Sequence, residues 1–353
     1  MKKERLINYD CMRLLMSFLV MGIHTPFPQW INNNQLLYNL VICFFFQCNG
    51  VFFMLSGSFC LSKNFKCKQD YIDYYVSKFI NIFIPYCIAT GIIVFSEKQF
   101  SNINQYISKY IEAFYVTNNT NILWFMNWLI GMLVSAPFLA KMLVNMRNFE
   151  LKILFKVGIV WNFISYYLTE NFGTTFPFFG WFLSLWLFVF ILGYVSDRII
   201  NDTNIKIIYC LGIVGFIITV LGLTYLEIFV QSTSVSVGYI FFTMSCYLFI
   251  KRTFNVNNSH LKKIISFLAQ HSFFAYMIHI IVLNQCRKYI TPENGIIQWI
   301  LCVVLDFIGS YLLSILLSYI LIRPFQKLLS VLLNNILKRK PVDDGNDKLI
   351  WES

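Results

Sequence analysis

Three ionisable residues, Asp10, Arg13 and His24, interrupt the otherwise apolar run YDCMRLLMSFLVMGIHT. Placing such groups inside a membrane-spanning helix costs roughly 2.5–3.5 kcal/mol each, so their presence calls for pairing or for function. Eleven residues separate Arg13 from His24, which at ~100° per residue is three turns plus about 20°. The two side chains therefore share a helix face, some 16 Å apart along the axis. Asp10 precedes Arg13 by three residues, the spacing of an ion pair on one helix. Histidine suits the removal of a proton from a weakly acidic hydroxyl, because its ordinary pKa of about 6.5 lies near neutral pH. It equally suits a covalent acyl-histidine route, and the residues alone do not choose between the two. A neutralised Asp–Arg pair and an interfacial packing histidine would explain each feature singly; the shared face favours a site.

A second histidine-bearing segment lies far away in the chain, LAQHSFFAYMIHIIVLN. There Ser272, Tyr276 and His279 fall within an arc of about 60°. His279 is expected near the outer leaflet at the depth of His24, and His271 deeper.

These residues need a scaffold, and composition says which. The chain has 353 residues, 58% hydrophobic and only 13% charged, about half the charged share of a soluble domain. Runs near 20 apolar residues span a bilayer, and ten such windows are expected: 9–28, 37–61, 76–96, 121–143, 151–168, 178–196, 205–225, 233–250, 262–284 and 297–322. Segment 99–116 is too polar to span and reads as an interfacial helix. RPFQKLLSVLLNNILKRK reads as a basic amphipathic surface helix, and residues 341–353 as a polar tail beyond a transmembrane domain of residues 1–340. The basic start followed by an apolar stretch is read as a retained first helix, since GIHTPFPQW carries no small-residue cleavage pattern.

With the N-terminus inside, 23 of the 28 Lys and Arg fall in inside segments, four outside and one, Arg13, within the first span. That asymmetry predicts an all-α, multi-pass bundle of about ten helices embedded in lipid, with both termini cytoplasmic. It also accounts for the net charge of +11 without nucleic-acid binding. The ten cysteines show no metal-like or disulfide-framework spacing, so no metal is expected. No phosphate-binding glycine loop, nucleophile elbow or HExxH sequence occurs.

The opening NYDCMRLLMSFLVMGIHT, with ten residues between Arg and His, resembles that of the membrane-bound acyltransferase family 3, which includes bacterial surface-glycan O-acetyltransferases. FFMLSGSFCLSK, YVSKFINIFIPY, NILWFMNWLIGMLVSAPFL, FILGYV and HSFFAYMIHIIVL resemble the family's later motifs in their expected order. Two departures stand out. Lys78 and Asn81 occupy positions where the family usually carries Arg-x-x-Arg, and Ser58 follows Ser56-Gly57 where an aromatic is common.

The resemblance implies an O-acyltransferase in the bacterial cell membrane. It would move an acyl group, most simply acetyl, from cytoplasmic acetyl-CoA to a surface polysaccharide or its lipid-linked precursor. The implied catalytic residues are His24, Arg13, Asp10 and His279. Donor contacts fall to Arg13, Lys78, Ser56 and Gly57, and acceptor contacts to Tyr276, Ser272 and Trp124. Relatives that move amino acids or polysaccharide leave a transporter as the alternative.

Overall fold

The computed structural model describes residues 6–96, 101–115, 123–172, 183–226 and 237–337. The expected polar tail and the basic residues before position 6 lie outside the described residues. Among the described residues eleven principal helices follow one another: α1 Ile7–His24, α2 Gln35–Leu61, α3 Lys68–Ser96, α4 Ile103–Tyr115, α5 Trp124–Val144, α6 Asn148–Phe172, α7 Leu185–Ile199, α8 Ile205–Tyr225, α9 Val237–Thr253, α10 Ser259–Cys286 and α11 Ile296–Ile336. No strand occurs among the described residues. A chain so apolar satisfies its backbone polar groups within each helix, the arrangement a bilayer requires of an open-ended segment.

Six of these helices, α2, α3, α5, α8, α10 and α11, are long and apolar enough to cross a membrane. The other four expected windows coincide with α1, α6, α7 and α9, which are helical but not among those six. The count shown is therefore six, against an expectation of ten. Part of the shortfall is intrinsic to the site: Asp10 and Arg13 lower the apolarity of α1, as Lys152 and Lys156 do that of α6. The polar segment 99–116 forms α4, which hangs on α3 through Tyr106 and Tyr110, whose hydroxyls donate to the carbonyls of Gly91 (3.1 Å) and Cys87 (3.3 Å). It leaves Ile103, Ile107 and Ile111 exposed along one edge.

Helix α1 is central and packs on α2, α9, α10 and α11. Where α2 crosses α7 the backbones touch: a Cβ on Gly57 would lie 1.8 Å from the carbonyl oxygen of Phe190, and one on Gly193 the same distance from that of Met54. Close approach through small residues is how helices associate where lipid supplies no hydrophobic drive.

Besides a π-turn at the end of α8, Gly222–Leu226, two interrupt the regular helices, Phe79–Phe83 in α3 and Ser318–Ile322 in α11. Each of these two stands just before a proline, Pro85 and Pro324. Proline donates no hydrogen bond and clashes with the carbonyl four residues back, and the wider turn relieves the clash. The Gln326 amide of α11 then donates to the Ile80 carbonyl at 3.0 Å, clasping the two turns together.

Candidate active site

The N-terminal end of α1 is the most heavily tied part of the site. Arg13 Nη1 donates to Asp10 Oδ1 at 2.8 Å, and Ser266 Oγ on α10 donates to Asp10 Oδ2 at 2.8 Å. Asp10 is fully buried. The Arg13 guanidinium lies 5.2 Å from the centre of the Phe59 ring on α2, where the π-face attracts a cation. Ser17 Oγ donates back to the Arg13 carbonyl at 2.8 Å.

Arg13 also faces a cavity of about 100 Å³. Its polar lining is Arg13, Ser56, Cys60, Lys78, Ser272 and Tyr276; the rest is apolar, with Phe52, Phe59, Ile82, Phe125 and Leu129 among its walls. Besides α1, which supplies Arg13 alone, each contributing helix offers residues four apart, Ser56/Cys60 from α2, Lys78/Ile82 from α3, Phe125/Leu129 from α5 and Ser272/Tyr276 from α10, because side chains at that spacing stack on one face. Five sequence-predicted site residues thus meet in one cavity, from segments up to 263 positions apart. Cys60 joins them unpredicted; nothing in its spacing separates it from the packing cysteines.

Tyr276 connects this cavity to the histidines. Its ring packs on Phe125 at 5.6 Å and stands 6.0 Å from that of His279. His279 and His24 face each other with ring centroids 5.1 Å apart and a tilt of 46°. His279 is fully buried, whereas His24 is half-buried. The His279 Nδ1–H group donates to the Tyr276 carbonyl at 2.5 Å. A carbonyl only accepts, so that bond fixes the proton on Nδ1 and leaves a lone pair on Nε2. Neither imidazole lines the cavity itself; the pair stands beyond Tyr276.

The family model described as an acyltransferase domain matches residues 6–323, nearly the whole chain and every residue of this constellation. The chain belongs to acyltransferase family 3. No curated protein and no solved structure matches it.

Other expected residues of this membrane acyltransferase lie apart from the cavity. Gly57 is spent on the α2–α7 crossing, and its neighbour Ser56 alone reaches the lining. Trp124 belongs to an aromatic cluster with Trp186, 5.4 Å away, and Phe46; its neighbour Phe125 is the lining residue. Asn81 donates to Ser77 Oγ at 3.2 Å on its own helix. Lys63 and Lys78 each stand 5.5 Å from the centre of the Tyr74 ring, while Lys66 and Lys68 are exposed. His271 lies against α11, its Nδ1 3.3 Å from Ser318 Oγ.

Two features of the acyltransferase escaped the sequence reading. Ser58, in place of the usual aromatic, donates to Asp197 Oδ2 at 3.1 Å, and Lys251 pairs with the same carboxylate. Asn8 completes the knot by donating to the Lys251 carbonyl at 2.7 Å. These partners sit at the ends of separate apolar runs, where no local pattern joins them. Asp306 is a fully buried acid within α11 that accepts from Ser310 Oγ at 3.0 Å; it was visible as a lone carboxylate in an apolar run.

Proposed function

We propose that the protein transfers a short acyl group, most simply acetyl, from cytoplasmic acyl-CoA to a hydroxyl of a cell-surface glycan or its lipid-linked precursor. It would do so as a multi-pass protein of the bacterial cell membrane with both termini inside. The observation that carries this reading is the cavity in which Arg13 and Lys78 meet Ser56, Ser272 and Tyr276 beside the His24–His279 pair.

A cavity of about 100 Å³ has room for roughly three waters, or for the acyl end of a thioester. The nucleotide stays outside it. Its phosphates are drawn to Lys78, to Lys63 beside it and to the exposed lysines of the loop, which supply a positive field. The apolar wall from Ile82 to Phe125 takes the pantetheine arm, and Tyr276 marks its end. At the histidines, His24 takes the acceptor hydroxyl's proton as the oxygen attacks the thioester carbonyl. The tetrahedral adduct collapses, the carbon–sulfur bond breaks, and the leaving thiolate recovers the proton from the His24 imidazolium. Asp10 and Arg13 hold the inner end of α1 in place, which keeps His24 in register three turns away.

The test uses protein purified in lipid nanodiscs. Acetyl-CoA should bind, more weakly as salt rises, and label from its acetyl group should enter alkali-labile esters in membranes of the producing strain. A polar seam of this kind also serves transport. No detectable coenzyme A binding at millimolar ligand, with labelled amino acid or glycan crossing proteoliposomes, would overturn the acyltransfer chemistry in favour of that activity.

A further inference from the structure

Two histidines that face each other need not share one task, and here their surroundings differ. His279 is fully buried, its Nδ1–H already committed to the Tyr276 carbonyl at 2.5 Å. Its Nε2 has no hydrogen-bond partner among the described residues. A buried acceptor without a donor is costly, about 1–3 kcal/mol, so the site keeps it for a reason. The half-buried ring nearest to it is His24, with centroids 5.1 Å apart. That separation is the one two imidazoles adopt when they meet edge to edge at hydrogen-bond distance. The rings are tilted by 46° and no hydrogen bond joins them in the structure; a change in the orientation of the half-buried His24 ring would be needed to make one. Such bonds commonly tighten only when substrate is bound.

We infer that His279 is a positioning residue for His24: its Nε2 lone pair accepts one His24 ring N–H and thereby selects the tautomer whose other nitrogen carries the lone pair toward the acceptor hydroxyl. This rests on the reading of His24 as the base. His279 touches neither donor nor acceptor. When His24 takes the hydroxyl proton, its second N–H remains bonded to His279, and the imidazolium charge is spread into an N–H···N contact shielded from water. The proton passes from His24 to the coenzyme A thiolate, and His279 ends as it began, with Nδ1 protonated. The Tyr276 carbonyl supplies the first link of the chain, fixing one tautomer so that it fixes the next. The same Tyr276 closes the cavity, so the histidine pair is oriented by the residue against which the donor would end.

The experiment compares three side chains at position 279 with His24→Ala as reference, all in membrane vesicles with labelled acetyl-CoA. His279→Gln places an acceptor oxygen near the lost Nε2. His279→Phe keeps ring volume and offers none. His279→Asn keeps a group near Nδ1 and offers nothing toward His24, and it replaces the Phe variant should that fail to fold. The inference expects kcat to fall roughly threefold for Gln and at least tenfold for Phe or Asn, with KM for acetyl-CoA unmoved. A second readout needs no acceptor: diethyl pyrocarbonate should modify His24, followed by mass spectrometry, at least tenfold more slowly in His279→Phe than in His279→Gln. Phe equal to or better than Gln in both readouts would overturn the inference and leave His279 a packing residue. A fully active His24→Ala would instead overturn the reading of the base beneath it, so the two failures are told apart.

Discussion

The two ends of α1 are built to opposite rules. At the N-terminal end Asp10 is buried and bonded to both Arg13 and Ser266, Arg13 rests on Phe59, and the Ser58–Asp197–Lys251–Asn8 knot lies alongside. At the C-terminal end His24 is half-buried and His279 holds a lone pair with no partner among the described residues. Saturated polar groups lock a helix; a group that must exchange a proton has to keep a valence open. Under the proposed function the difference separates scaffold from chemistry, although both ends carry ionisable residues in apolar surroundings.

That contrast makes its sharpest prediction at His24. Replacing it with Ala removes the proposed base, which typically contributes 10²–10⁴-fold, yet breaks no hydrogen bond that holds the bundle. Acyl transfer should fall at least ~100-fold, while yield and detergent size-exclusion profile match the parent. A His24→Ala protein that is both active and folded would reverse the assignment of the two ends.

Arg13→Ala should behave in the opposite way. It strands the Asp10 carboxylate in the bundle, and breaking one partner of a buried ion pair costs about 3–5 kcal/mol. The expected result is poor membrane accumulation and a lowered thermal midpoint. Asp10→Asn combined with Arg13→Gln removes both charges and should recover most of the lost stability, while donor affinity stays low because the cavity has lost a cation. Recovery of full activity in the double variant would make the pair scaffold alone.

How much of this was legible in the chain depends on how far each signal reached. Arg13 and His24 belong to one helix, so spacing placed them on one face. The pairing of Asp10 with Arg13 followed from the i,i+3 rule for the same reason. The meeting of His279 with His24 was expected from matched depth, and Lys78, Ser56, Ser272 and Tyr276, drawn from separate sequence motifs, line one cavity. Failures came where the partner was a neighbouring residue's business. Gly57 and Trp124 each adjoin a lining residue, but helix rotation turns them toward α7 and toward Trp186. A motif names a stretch, and only packing decides which of its residues faces inward. The count of spans was blurred for a related reason: α1 and α6 carry charges that lower their apolarity, although the bundle covers Asp10 and nearly all of Arg13.

Between the two ends lies the cavity, and Cys60 offers a way to close it. This side chain is 3% exposed and lines the wall beside Arg13 and Lys78. Cys60→Trp should fill much of a space of about 100 Å³, raising KM for acetyl-CoA roughly tenfold or more through lost positioning. Overpacking costs about 1–3 kcal/mol, so the comparison is with Cys60→Ala, which should fold and keep donor binding near the parent level. Equal donor binding by the Trp and Ala variants would place the acyl group elsewhere.

The smallest effect is expected at Lys78, because it is a partly exposed cation of the cavity wall that shares the Tyr74 ring with a second lysine. Its ammonium lies near the Tyr74 ring that Lys63 also approaches, so Lys63 can take over part of the attraction for a polyanionic donor. Exposed ion pairs contribute about 0.2–1 kcal/mol, and one among several lysines contributes within that range. Lys78→Ala should therefore weaken acetyl-CoA binding about two- to fivefold at low salt, with stability unchanged. The gap to the parent should close as ionic strength rises, since screening removes what the lysine supplied. Lys63→Ala together with Lys78→Ala should weaken binding by more than either alone. Lys78→Arg should restore binding, and restoring the usual second arginine with Asn81→Arg tests whether that position reaches the mouth at all: Asn81 now bonds Ser77 on its own helix, so tighter donor binding requires the longer side chain to turn toward Lys78. A Lys78→Ala loss that is large and independent of salt would instead mark this lysine as a fixed donor contact inside the cavity, and would move it to the locked side of the molecule.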